Sequence, residues 1–215
     1  MSEPRPASGR QRAGEPSRID GPSLARAFAD GAVALREQAD ALNAINVFPV
    51  PDGDTGTNMS LTMKAAIEGI HDAASVADAA KLAARGALLG AKGNSGVILS
   101  QIIAGFATAM PRDDSGLTAG DLAQALERGR VAAYKVVSNP KEGTILTAIS
   151  AAAEAAHDAS ASTGAEETLG AAVAAAHEAV LCTPELLPVL KEAGVVDAGA
   201  QGLYVLLDGI SLDLA

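Results

Sequence analysis

Apolar residues recur at three- and four-residue intervals along most of this chain, and polar, glycine-rich segments interrupt them. Leu24, Phe28, Val33, Leu35 and Leu42 predict a first helix over Ser23 to Ala44. The pattern stops at "NVFPVPDGDTGTNM", Asn46 to Met59, where Pro49 and Pro51 are expected to hold the backbone extended. A second helix is expected from Thr57 or Asn58 to near Gly69, on Leu61, Met63, Ala66 and Ile67. Ser75 reads as the cap of a third. Gly90 to Gly96 interrupts it, and helix resumes over Val97 to Ala109. Thr118, with Asp121 in the first turn, opens a helix to about Val137, and Thr144 caps one from Ile145 to about Asp158. An alanine-rich helix covers roughly Thr168 to Leu181. Thr183, Pro184 and Glu185 read as the cap, first-position proline and favourable acid of a short helix to Ala193. A last helix reaches Leu212. The count is about eight helices with no convincing strand.

Four breaks share a character. "PDGDTGTN", "GAKGNSG", "NPKEGT" and "GVVDAGAQG" are glycine-rich and polar, and each opens a helix. A bundle can gather all four at one end, whereas simple connections are expected to vary.

Composition supports an all-α architecture. Hydrophobic residues make up 48% of 215, aromatics only 2%, with no tryptophan, so the core is built from small and aliphatic side chains that suit close helix packing. A net charge of −10 argues against non-specific nucleic-acid binding. Arg5, Arg10, Arg12 and Arg18 sit among Pro, Gly and Ser, which reads as a disordered arm over residues 1–18 ahead of a helical domain over 19–215. No run is apolar and long enough to cross a membrane, no secretory signal opens the chain, and a cytoplasmic protein is expected. Cys182, the single cysteine, excludes an intrachain disulfide and reads as a small core residue.

Candidate chemistry lies in the breaks. Asp52 and Asp54 flank Gly53, and two carboxylates turned into one space call for a cation; Mg²⁺ suits oxygen ligands and shares its shell with water and phosphate. A solvated Asp-Gly turn is the plainer alternative. Thr55, Thr57 and Asn58 lie where the loop enters a helix, whose free amides and dipole favour an anion, or which they simply cap. Gly93, Asn94, Ser95 and Gly96 repeat that logic, with glycines permitting close approach and a hydroxyl between them. Thr144 marks a third such start and "DAGAQG", from Asp197, a fourth. Lys191 is either a cation for a transferred phosphate or a solvent-facing lysine. There is no Walker sequence. His71, His157 and His177 lie outside these loops without metal-ligand spacing, and no Gly-x-Ser-x-Gly elbow suggests a hydrolase.

"LNAINVFPVPDGDTGTNMSLTM", "GAKGNSGVILSQIIAGF", "NPKEGTILTAI" and "VLKEAGVVDAGAQGL" resemble, in order, the N-terminal ATP-binding domain of the bacterial fatty acid kinase large subunit. That domain is similar to the L subunit of dihydroxyacetone kinase. The resemblance spans Leu42 to Leu203 and implies an eight-helix antiparallel barrel with the nucleotide, ATP or ADP, at one end. It implies two Mg²⁺ ions held by Asp52 and Asp54, with Asn46 one residue from a further aspartate of the dihydroxyacetone kinase subunit. Thr55 stands where that subunit often has histidine, a departure that favours the fatty acid kinase branch. Asn58 and the Asn94–Ser95 pair match phosphate-contacting positions, and Thr144 and Ile145 match a nucleotide-contacting Thr-Met. Lys191 lines up with an arginine. The "DAGA" match places Asp197 and Gly199 near the nucleotide.

The implied reaction transfers a phosphoryl group to a fatty acid held by a separate fatty-acid-binding protein, giving an acyl phosphate. A carboxylate is ionised at neutral pH and needs no general base. Family members continue into further domains thought to engage that partner, so the chain is expected to be part of a kinase or a stand-alone domain. The alternatives are phosphotransfer to dihydroxyacetone or a similar polyol, a regulatory module that binds ATP without turnover, and a bundle with no ligand. Oligomeric state stays open, a homodimer included.

Overall fold

The computed structural model describes residues 18–111, 113, 115–212 and 214. The expected arm therefore lies outside the described residues except for Arg18, whose Nη1 donates to the Ser115 carbonyl at 3.2 Å. Beside it, Ile19 and Leu117 form an isolated antiparallel bridge that ties the chain ahead of the first helix to a later loop.

The fold is all-α. Helix α1 spans Gly21–Glu37 and starts at Asp20, whose carboxylate accepts the Ser23 amide at 2.8 Å. It buries Leu24, Phe28 and Leu35, one face at helical spacing. The single helix expected to Ala44 is two: the backbone turns off at Gln38 (φ −95°, ψ 0°), and a short α2, Ala39–Ala44, follows and buries Leu42. Helix α3 is Thr55–Ile67, beginning earlier than expected and ending before Gly69, which takes φ 77° ahead of one 3₁₀ turn at Ile70–Asp72. Helices α4, Val76–Gly90, and α5, Gly93–Ala107, are separated by two residues, a much shorter interruption than the glycines suggest. Ser75 caps α4 as expected. Helix α6, Ala119–Val136, opens with a full capping box between Thr118 and Asp121. Helix α7, Ile145–Ser160, follows Thr144.

Helix α8, Ala165–Leu186, corrects the expectation of a cap at Thr183, because it runs straight through Pro184. Proline has no N–H to give the Val180 carbonyl four residues back. The Thr183 hydroxyl supplies that bond instead, at 2.7 Å. Cys182 is exposed on this helix and is not the core residue expected. Two shorter steps close the chain: α9, Pro188–Ala193, which ends on Gly194 at φ 68°, and α10, Ala198–Leu212.

Each of the eight long helices packs on the next long helix in sequence, and α10 returns to pack on α1. Alanines make the close approaches: Ala79, Ala80, Ala83 and Ala87 of α4 and Ala148, Ala152 and Ala156 of α7 are buried. Larger side chains fill the interior, among them Leu35, Met59, Met63, Leu99, Ile149 and Leu203. Phe28 and Phe106 meet edge to face at 6.0 Å. Where α5 crosses α6, a Cβ on Gly105 would strike the Arg128 carbonyl, so the backbones touch directly. Buried Thr62, Ser100 and Thr183 return their hydroxyls to carbonyls of their own helices, and no buried side-chain polar atom among the described residues lacks a partner.

Candidate functional site

The starts of α3, α5, α7 and α10 lie around one cleft of about 550 Å³. The four polar breaks therefore come together. Asp52, Asp54 and Thr55 line it from the first loop. Gly93, Asn94 and Ser95 come from α5, Thr144 and Ile145 from α7, and Asp197 and Gly199 from α10. The lining also holds the apolar residues Phe48, Val50, Val97, Ile98, Val136 and Val137.

Two asparagines shape the first loop. Asn46 is 5% exposed, and its Oδ1 accepts the Asp54 and Thr55 amides, each at 3.2 Å, and the Thr55 hydroxyl at 3.0 Å. Its Nδ2 donates to the Phe48 and Val50 carbonyls. The lead-in is thus bent around Asn46, with a cis bond between Phe48 and Pro49, and not extended as expected. An amide oxygen already serving three donors has no lone pair to spare, so Asn46 braces the loop where the resemblance implies a metal ligand. Asn43 locks Thr57 reciprocally, taking its amide at 3.1 Å and donating to its hydroxyl at 2.9 Å. The bracing leaves Asp52 and Asp54 exposed at the rim, and neither carboxylate has a hydrogen-bond or ion-pair partner among the described residues.

The start of α5 sits against α3. A Cβ on Gly93, at φ 57°, would run into the Asn58 amide nitrogen, and one on Gly96 into the Thr62 hydroxyl. Asn58, Thr57 and Gly96 are not among the residues that line the cleft. Thr62 joins the two helices, donating to the Asn58 carbonyl at 2.7 Å and accepting the Lys92 amide at 3.3 Å. Among the four helix starts, α5 alone has no side chain of the described residues on its first amides. Asn46 and Asn43 occupy those of α3, Thr144 bonds Leu146 on α7, and Asp197 bonds Ala200 on α10.

Asp197 lies between the starts of α7 and α10 and is 4% exposed. Its Oδ1 accepts the Ala200 amide at 2.7 Å, and its own amide donates to Thr183 Oγ1 at 3.0 Å. Thr183 thus mends the proline gap in α8 and anchors this turn with the same oxygen. Burial pushes the Asp197 carboxyl up to about 6, while the Ala200, Ile145 and Gly199 amides pull it the other way.

The loop before α7 is held by Glu142, which accepts from the Tyr134 hydroxyl at 2.8 Å and the Thr147 hydroxyl at 2.6 Å. It carries Ser138, Asn139 and Lys141 into the lining, residues the sequence reading did not single out. Asn139 and Lys141 lie in one of the four polar breaks and Ser138 adjoins it, which was the signal available. Lys191 is not brought in: it is 64% exposed and paired with Glu185 at 2.8 Å outside the lining. His71, His157 and His177 are also outside it. No helix among the described residues is long and apolar enough to cross a membrane.

Uncharacterised proteins of Staphylococcus saprophyticus and Staphylococcus haemolyticus are each 41% identical over 196 residues, 90% of this chain and 35% of theirs. One of Staphylococcus aureus strain USA300 is 42% identical over the same share of this chain and 36% of its own. The chain thus spans about a third of the length of these curated relatives. Among solved structures, the dihydroxyacetone kinase from C. freundii in complex with AMP-PNP and Mg²⁺ matches 99% of this chain and 38% of that one, with TM-score 0.64 at 18% identity. Its native form gives 0.59 at 19% identity, over 98% of this chain and 38% of that one. At that identity the likeness shows the shared fold. The model of the DAK2 domain family matches residues 49–212, from the first loop through α10 and every helix start around the cleft, and the chain belongs to that family.

Proposed function

We propose that this chain is the Mg-ATP-binding domain of a phosphotransferase that passes the γ-phosphate to a fatty acid carboxylate presented by a separate fatty-acid-binding protein. The observation that carries the nucleotide is the meeting of four helix starts with two unpartnered carboxylates at one cleft. The C. freundii kinase of the same fold, in complex with AMP-PNP and Mg²⁺, supports it.

The free amides at Gly93, Asn94 and Ser95 receive phosphate oxygens, and the α5 dipole favours their charge. Asp52 and Asp54 fit a hard cation that takes one or two carboxylates and completes its shell with water and phosphate. They are the residues that would hold Mg²⁺, which when bound neutralises phosphate charge and aligns the transfer. The apolar side chains of Phe48, Val50, Val97 and Val136 offer the nucleotide's flat base a surface to pack on. The protein's part is positioning and charge complementarity, as phosphoryl transfer requires. Absence of histidine from the lining favours an acceptor that is already ionised. Dihydroxyacetone or a related polyol is the second reading, favoured by the likeness to dihydroxyacetone kinase.

Titration calorimetry with ATP and Mg²⁺ tests the nucleotide. Wild type is expected to bind, and Asp52→Ala and Asp54→Ala each to lose the Mg²⁺-dependent part of the affinity. Metal-dependent binding retained by both variants contradicts the ligand assignment. A phosphotransfer assay offering a fatty acid on its binding protein beside dihydroxyacetone on its carrier subunit separates the two acceptors, and binding without turnover on either marks a regulatory module.

A further inference from the structure

Among the described residues, the cleft lining contains three acids, Asp52, Asp54 and Asp197, and a single cation, Lys141. Other lysines are near in sequence but not in place. Lys92 adjoins Gly93 and stays outside the lining, and Lys191 is engaged with Glu185 on the outer surface. Lys141 has no ion-pair partner among the described residues, and its position is built. Its carbonyl accepts the Thr144 hydroxyl at 2.8 Å. The next residue, Glu142, is fastened by Tyr134 and Thr147, and the Gly143 amide donates to Thr147 Oγ1 at 2.7 Å. The loop is therefore tied at Lys141 and at the two residues after it, while the lysine's ammonium group has no partner among the described residues.

We infer that Lys141, in place of the Lys191 that the sequence offers as a cation for a transferred phosphate, meets the nucleotide's phosphate chain and sets the preference for a triphosphate. The inference rests on the nucleotide reading above and adds the group that discriminates between phosphate states. An ammonium is a compact charge with three donors on a flexible stem, suited to phosphate oxygens that differ in number between ATP, ADP and adenosine. Charge-assisted bonds of this kind are stronger than the neutral amide bonds offered by α5. The ammonium also offsets part of the negative field that three acids place around an anionic ligand.

The test is calorimetry on the full chain with Mg-ATP, Mg-ADP and adenosine, comparing wild type, Lys141→Ala, Lys141→Arg and Lys191→Ala. Lys141→Ala is expected to weaken ATP by about tenfold, ADP by less and adenosine not at all. Lys141→Arg should recover most of the loss, and Lys191→Ala should match wild type. ATP binding by Lys141→Ala within twofold of wild type overturns the inference and leaves the nucleotide reading intact. Equal weakening of all three ligands, with a lowered melting temperature, overturns it in favour of a structural role. No binding by wild type removes the nucleotide reading, and the inference with it.

Discussion

Asp197 holds a carboxyl where the dielectric opposes charge and two helix starts invite it. Its carboxyl sits at about 6, against an ordinary 3.8, so burial wins by about two units. The folded state then binds the proton more tightly than the unfolded chain. The resulting stability is complete below pH 3.8 and is lost as pH rises through about 6. Two units correspond to roughly 3 kcal/mol. Urea unfolding of wild type and Asp197→Asn from pH 4 to 8 should show wild type losing about that much relative to the variant by pH 7, then running parallel. A difference independent of pH would mean that the carboxyl is not perturbed. At this scale the sequence pointed to Asp52, Asp54, Ser95 and Asp197, because turn-forming acids and hydroxyls beside glycines stand out from an alanine-rich background. It could not show that Asn46 spends its oxygen inside the loop, since that depends on where Thr55 returns in space. Lys141 and Lys191 look alike in sequence, and only the course of α9 separates them.

The starts of α4, α6 and α7 were legible because their signals are local. The Asp121 carboxylate accepts both the Thr118 amide and the Thr118 hydroxyl, and Ser75 accepts from Asp78, each within one turn. The break at Gln38 and the passage through Pro184 were not legible. The first has no glycine or proline to announce it, and the second depends on a hydroxyl substituting for a missing N–H. Glycines inside helices carry a different message. Gly105 faces the Arg128 carbonyl at the α5–α6 crossing. Intrinsic propensity alone makes Gly105→Ala a gain of about 1 kcal/mol. The missing space makes it a loss, since overpacking costs about 1–3 kcal/mol. Denaturant melts should therefore place the variant below wild type by roughly 1 kcal/mol, and a rise in stability would show that the helices can part.

The molecule as a whole makes its cleft from segments about 150 residues apart in the chain, between the first loop and α10. Gathering the four breaks at one end was foreseeable from their shared composition. The closing contact between α10 and α1 was implied only by the family resemblance, because nothing local specifies which helices become neighbours. A ligand held by four helices stabilises all of them together. With Mg-ATP at a hundredfold excess over its Kd, the folded state should gain about 2.7 kcal/mol. For a chain of this size that raises the melting temperature by roughly 5–10 °C, which scanning calorimetry resolves. The same scan of Asp52→Ala should show a smaller rise.

The bare beginning of α5 has a consequence of its own. Amides without an acceptor trade their hydrogens with solvent readily, whereas those under a cap or within a helix are shielded. Gly93, Asn94 and Ser95 are thus three natural isotope probes beside the covered starts of α3, α7 and α10. Deuterium uptake at these positions, slowed when an anion settles on them, locates the phosphate residue by residue without any turnover.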